Sequence, residues 1–205
     1  YTVGSTGALT AMSPATVATG SYPKVITIDP TGHHAYVLNY SGNTVSQYII
    51  GNGGALTAMS PATVATGSTP QAITIDSTGH YAYVVNYGGN TISPYIIGST
   101  GAPAPMSPPT VVTGSHPLVI MIAPTEHHAY AVNLYDNTVS QYTIGSTGAL
   151  VPMSPATVAT GGSPEAITID PTERYVYVTN TYVNTVSQYT VGSTGALTAM
   201  SPATV

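Results

Sequence analysis

A constant step of 47 residues constrains this chain more than any other feature. Tyr48, Tyr95, Tyr142 and Tyr189 lie on that grid, and Tyr1 sits one step before Tyr48. The stretch Ile26–Tyr48 returns as Ile73–Tyr95, Ile120–Tyr142 and Ile167–Tyr189. A period of this length marks stacked units, none of which can bury its own apolar faces without a sibling. Residues 189–205 repeat residues 1–17 letter for letter, so the chain holds four periods and a duplicated end.

Each period divides into four short strands. Val25–Asp29 is β-branched, with Ile26 and Ile28 on one face, and Asp29-Pro-Thr-Gly32 is a turn. There the carboxylate caps amides, proline presets φ and glycine accepts φ > 0. Ala35–Asn39 is the second strand, Tyr40-Ser-Gly-Asn43 the next turn and Thr44–Ile50 the third strand. Pro61 is read as restarting the chain into a fourth strand, Ala62–Thr66, and Pro14 as doing the same for Ala15–Thr19. No stretch sustains a 3.6 spacing, so helices are not expected. Four strands per unit, apolar on both faces, predict an all-β β-propeller of four-stranded antiparallel blades. The units run over 20–66, 67–113, 114–160 and 161–205, and residues 1–19 form an outer-strand segment completing a blade.

Composition narrows the partners. Hydrophobic residues reach 42% and charged residues only 4%, which opposes disorder. Lys24 and Arg174 are the two basic residues, too few for a nucleic-acid or anionic-lipid footprint. The longest apolar run, Leu118–Ala123, is far short of the ~18–20 residues that span a bilayer. Neither nucleic acid nor membrane insertion is expected. A surface so poor in ions stays soluble through hydroxyls and amides or is meant to associate. With no initial Met and no basic leader before an apolar run, the sequence is read as a processed or excerpted piece; the absence of cysteine does not fix the compartment, and an uncharged surface rich in Thr, Ser and Asn suits an extracellular or cell-surface protein.

Tyr177-Val-Thr-Asn180 is a literal YVTN signature, and the same slot reads Tyr36-Val-Leu-Asn39, Tyr83-Val-Val-Asn86 and Tyr130-Ala-Val-Asn133. With the preceding turns and the following Asn-Thr-Val-Ser, the chain resembles the YVTN and lactonase-type β-propeller family over nearly its whole length. The resemblance implies blades in a ring of about seven, larger than the four carried here, and a hydrolase activity in the lactonase members. Phe and Trp are absent, so Tyr does the aromatic packing, and Ala123 stands where the other turns have Asp29, Asp76 and Asp170.

Candidate chemistry is thin. The turn Asp residues and Asn39, Asn86, Asn133 and Asn180 are explained by capping. Two Tyr columns (36, 83, 130, 177 and 48, 95, 142, 189) are read as packing, each hydroxyl reaching a partner. His33-His34, His80 and His127-His128 follow the first turn, but strand neighbours point to opposite faces, so one pair cannot chelate an ion with both rings. No metal, cofactor or catalytic residue is assigned, and no G-x-S-x-G occurs. Asn39-Tyr40-Ser41 is the only glycosylation sequon and is read as accidental.

The informative positions are those where the repeat stops repeating. Around the proline after each unit's first glycine the chain holds Tyr22 and Lys24, Thr69 and Gln71, His116 and Leu118, and Glu165. In a propeller this connection leads from an outer strand to the next blade's innermost strand, which places these side chains on the mouth of the central channel as a small-ligand site. The near-identity of the units puts first a structural, self-associating module, forming an oligomer or filament through sheet edges or blade faces. A lactonase-like hydrolase taking a sugar-like ligand at the channel is the alternative.

Overall fold

The computed structural model describes residues 1–205 and contains strands and turns only. A two-stranded ribbon, β1 (Thr2–Val3) and β2 (Leu9–Thr10), precedes four antiparallel sheets. Blade 1 is β3 (Pro23–Ile28), β4 (His34–Asn39), β5 (Thr44–Ile50) and β6 (Leu56–Ala65). Blade 2 is β7 (Pro70–Ile75), β8 (Tyr81–Asn86) and β9 (Thr91–Ile97), with β10 (Pro103–Pro105) and β11 (Val111–Val112) both on β9. Blade 3 is β12 (Pro117–Ile122), β13 (His128–Asn133), β14 (Thr138–Ile144) and β15 (Leu150–Ala159). Blade 4 is β16 (Pro164–Ile169), β17 (Tyr175–Asn180), β18 (Thr185–Val191) and β19 (Leu197–Thr204). This is a β-propeller of four-stranded antiparallel blades. Blade packs on blade in chain order, innermost strand beside innermost strand, and no contact of similar extent joins blade 4 to blade 1.

The turns form as their residues dictate. Gly32 takes φ 74°, and its amide reaches the Asp29 carbonyl at 3.0 Å. The Asp29 carboxylate accepts the Thr31 hydroxyl, the His33 and His34 amides and His34 Nδ1 at 2.5–3.1 Å. Burial pushes that carboxyl's pKa up, but the Thr31 and His34 bonds outweigh it and hold it below the ordinary range.

Three seams bury the core. Tyr36, Leu38 and Val45 of blade 1 meet Ala82, Val84 and Tyr95 of blade 2, and the next two seams repeat the pattern. Seven of the eight column hydroxyls find the partner expected of them, and the half-buried Tyr177 does not. Tyr36, Tyr83 and Tyr130 donate to the carbonyls of Gly101, Gly148 and Gly195 in the following blade at 2.6–2.8 Å. Tyr48, Tyr95, Tyr142 and Tyr189 donate to Ala18, Ala65, Val112 and Ala159 at 2.5–2.7 Å. An unpaired buried phenol would cost about 1–3 kcal/mol, so these bonds fix where each blade sits on its neighbour.

Two strand expectations need correction. The fourth strand starts at Leu56, not Ala62, because Leu56, Thr57 and Ala58 pair with Ile50, Ile49 and Tyr48. Pro61 does not break it. The register shifts between Ser46 and Tyr48, so proline falls where the ladder needs no amide, and its carbonyl accepts Gln47 Nε2 at 2.7 Å. Pro94 stands at the Gln47 position in blade 2, and there the outer strand splits into β10 and β11. The expected strand Ala15–Thr19 is absent, since no third strand lies beside it to accept ladder bonds. Val17 instead packs against Ala35, Val37 and Tyr48 on the outer face of blade 1.

Candidate functional site

One end of the fan is built from the unit-to-unit connections and the second turn of each blade. Backbone bonds at 2.9–3.1 Å join them, from Tyr40 to Tyr22, from Tyr87 to Thr69 and from Leu134 to His116. The opposite end carries the Asp turns and the Gly-Ser-Thr-Gly turns that accept the Tyr36, Tyr83 and Tyr130 hydroxyls.

At the first end, each innermost strand contains a bulge. Pairing slips between Pro23 and Val25, Pro70 and Ala72, Pro117 and Val119, and Pro164 and Ala166. The unpaired residues are Lys24, Gln71, Leu118 and Glu165, the slots where the repeat varies. A bulge frees a side chain from the alternation of the strand and re-aims it, and bulges concentrate beside functional sites. Two steps before each sits a residue with positive φ: Tyr22 (57°), Thr69 (47°), His116 (55°) and Ser163 (53°). None is glycine, and a non-glycine there costs about 1–3 kcal/mol. The conformation is held across the seam: the Thr69, His116 and Ser163 amides donate to Asn43, Asn90 and Asn137 Oδ1 of the preceding blade at 2.7–2.8 Å.

The side chains at this mouth make contact. Lys24 Nζ lies 2.6 Å from Gln71 Oε1 and 4.7 Å from the Tyr40 ring centroid. Tyr22 lies against Tyr40, with centroids 5.8 Å apart. His116 sits between two rings, 4.5 Å from Tyr87 and 4.1 Å from Tyr135, with Nδ1 2.8 Å from Ser115 Oγ. Hydrogen bonding to Tyr135 raises the Tyr87 phenol above its ordinary pKa. Asp136 Oδ2 accepts the Ser115 amide at 2.6 Å, so Ser115, His116 and Asp136 are neighbours but not a relay. Leu118 is half-buried, and Glu165 is exposed and in no ion pair. The structure thus brings Lys24 to Gln71 and Tyr22 to Tyr40, and places His116 apart from them in an aromatic pair. Thr69 is spent on the backbone, its hydroxyl accepting the Gly88 amide at 2.6 Å.

Sequence reasoning read Tyr40 only as a turn residue and passed over Tyr87, Tyr135 and Tyr182. Their signal was an aromatic one or two places after each Asn of the YVTN slot. The paired histidines lie at the other end of the fan, where a cavity of about 570 Å³ is lined by Asp29, His33, His34, Thr78 and His80. No group of three or more His, Asp or Glu gathers at metal-ligand range anywhere in the chain. Asn39 is fully buried, with Nδ2 on Thr44 and Ser46, so the sequon is closed in the folded protein.

A family profile described as "Lactonase, 7-bladed beta-propeller" matches residues 1–205. The chain belongs to the lactonase seven-bladed β-propeller family. Among solved structures, this lactonase-family propeller is similar to a putative 6-phosphogluconolactonase from Bacteroides fragilis, with TM-score 0.80 and 21% identity over 96% of this chain and 61% of that one. It is also similar to the periplasmic gluconolactonase of Pseudomonas aeruginosa, with TM-score 0.74 and 17% identity over 84% of this chain and 51% of that one. The lactonase-family chain therefore spans about half to three-fifths of the length of these relatives. No curated protein matches it in sequence.

Proposed function

We propose that the chain is a hydrolase acting on a sugar lactone at the bulged mouth of the propeller. Family membership and the two lactonase relatives support this over the structural module that the sequence put first. The observation that carries the reading is the ring of bulges. At a set of positions where the blades differ, the bulges of the four innermost strands carry a cation, an amide, an apolar group and a carboxylate. Hydrolysis needs such unlike groups, because water attacks the carbonyl carbon, the ring C–O bond breaks and the leaving oxygen takes a proton. Tyr40, Tyr87 and Tyr135 offer rings on which a sugar can stack, and Lys24 is the mouth's cation for a developing oxyanion. Of the mouth's His116, Glu165 and Asp136, the first two are assigned to take a proton from water, because Asp136 already accepts the Ser115 amide.

A pH-stat assay over a panel of aldonolactones tests the reading. Turnover should fall about 100-fold or more for His116→Ala or Glu165→Gln, the usual weight of a general base. A folded chain that opens no lactone faster than buffer, or keeps its rate in both variants, would sink the proposal.

A further inference from the structure

We propose that the outer rim of the propeller is a site of O-linked glycosylation, on Ser60 and Thr63 of blade 1, Ser107 and Thr110 of blade 2, and Ser154 and Thr157 of blade 3. These residues lie in the outermost strands β6 and β15 and in the segment between β10 and β11, and all six are exposed. What marks them is constancy without structural use. Met-Ser-Pro-x-Thr-Val recurs at the 47-residue step from Met12, Met59, Met106, Met153 and Met200. Exposed neighbours on the same strands drift. Thr57 becomes Ala104 and Val151, and Ala58 becomes Pro105 and Pro152.

The fold accounts for the other constant letters. Val64, Val111 and Val158 are half-buried against the seams. The Pro61 and Pro155 carbonyls accept Gln47 and Gln141 Nε2 at 2.7 and 3.1 Å, so the Ser-Pro step is pinned from within through its backbone. The six rim hydroxyls make no hydrogen bond within the chain. Hydroxyls that the repeat does use differ plainly. Ser46 accepts the Gly20 amide and Asn39 Nδ2, and Thr66 donates to the Gly67 carbonyl. A serine and a threonine kept in every unit, pointing outward and bonded to nothing, are explained by chemistry done on them.

The rim also needs a cover. β6 and β15 are ten residues long and paired on one side only. Proteins guard such edges with lysine, other charges or brevity. Residues 51–66, 98–113 and 145–160 hold no charged residue at all, so only proline and the register shift protect them. Sugars are bulky and solubilising, and Ser/Thr-rich segments with proline are the composition that carries them. A phosphate fits less well, because these segments offer no Lys or Arg to pair with it. The donor is a sugar held through its anomeric carbon to a phosphate. The Ser or Thr oxygen forms a bond to that carbon and the carbon–phosphate oxygen bond breaks. The phosphate leaves with the electron pair, and the hydroxyl proton passes to a base of the transferring enzyme.

Peptide mass spectrometry of the protein purified from its native source tests this without any substrate, so it stands or falls apart from the hydrolase reading. Peptides covering residues 56–66 and 150–160 should each carry the added mass of one sugar residue or more, localised by fragmentation to the Ser or the Thr. The double variant Ser60→Ala, Thr63→Val, made in the same source, should lose the addition on the first peptide and keep it on the second. Its thermal midpoint, measured beside the native sequence with both chains unglycosylated, should be unchanged, since neither hydroxyl is bonded. Unmodified rim peptides, sugar confined to the Gly-Ser-Thr-Gly turns, or a phosphate in place of sugar would overturn the proposal.

Discussion

Ala123→Asp should stabilise this protein, and the structure says where the gain arises. In blades 1 and 4, Asp29 and Asp170 each gather the turn's two following amides and a Thr hydroxyl. Asp29 also takes His34 Nδ1. Blade 3 keeps the same backbone turn, with the Ala123 amide on the His128 carbonyl at 2.9 Å, but it has no carboxylate. His128 Nδ1 is left buried with no partner, and burial holds that imidazole below its ordinary pKa. Each bond to a carboxylate is worth about 1.5–3 kcal/mol before desolvation, and Glu173 already holds Thr125, so the net gain is about 1–2 kcal/mol. For a chain of this size that is roughly 2–8 °C in midpoint.

The pH dependence sharpens the test. In the native sequence a depressed His128 contributes stability present above pH 6.5, its unfolded value, and lost as pH falls through the folded pKa. Beside a carboxylate the imidazolium is stabilised instead, so the advantage of Ala123→Asp should widen from pH 7 to about 5. It should then vanish as the new carboxyl is protonated. Thermal melts of both proteins from pH 3 to 8, followed by circular dichroism, measure this. An unchanged or lowered midpoint at pH 7, or an advantage flat with pH, would refute the reasoning.

Glu126 and Glu173 occupy left-handed positions (φ 60° and 55°) where blades 1 and 2 have Gly32 and Gly79. Glu126 repays its strain with one bond to the Ser77 amide, Glu173 with two, to the Thr125 amide and hydroxyl. Glu126→Gly should therefore be within about 0.5 kcal/mol of neutral in denaturant titrations, whereas Glu173→Gly should destabilise by about 1 kcal/mol. Burial raises the pKa of the Tyr36, Tyr83 and Tyr130 phenols and takes Tyr95 and Tyr142 to about 12. Their stability contribution is present in full below pH 10 and lost as pH rises through the folded values, so the midpoint should drop steeply between pH 10 and 12.

The blades were legible because Ile26, Ile28 and the Tyr columns repeat in step with the strands they sit on. Recurrence at the 47-residue step and the turn before it placed the third strand from Thr44 to Ile50, and turn chemistry placed Asp29-Pro-Thr-Gly32. What escaped has physical reasons. A bulge breaks alternation at one residue, so Lys24 and Glu165 stood out by their variability alone. Pro61 read as the restart of a strand already running from Leu56, because nothing local shows that the ladder skips its amide. Tyr87 and Tyr135 belong to different blades, and only the seam brings both to His116.

Gly20, Gly67, Gly114 and Gly161 each lie where a Cβ would fall 2.5–2.6 Å from the amide group of Asn39, Asn86, Asn133 or Asn180. The glycine that begins a unit and the asparagine that ends its second strand are therefore one lock, closed inside each module and never between modules. Cutting the gene at these glycines and shuffling, deleting or adding whole 47-residue cassettes would leave every lock intact and every seam still facing its usual mate. The chain is built like a measuring tape, whose length can change by whole divisions without altering how any one of them is marked.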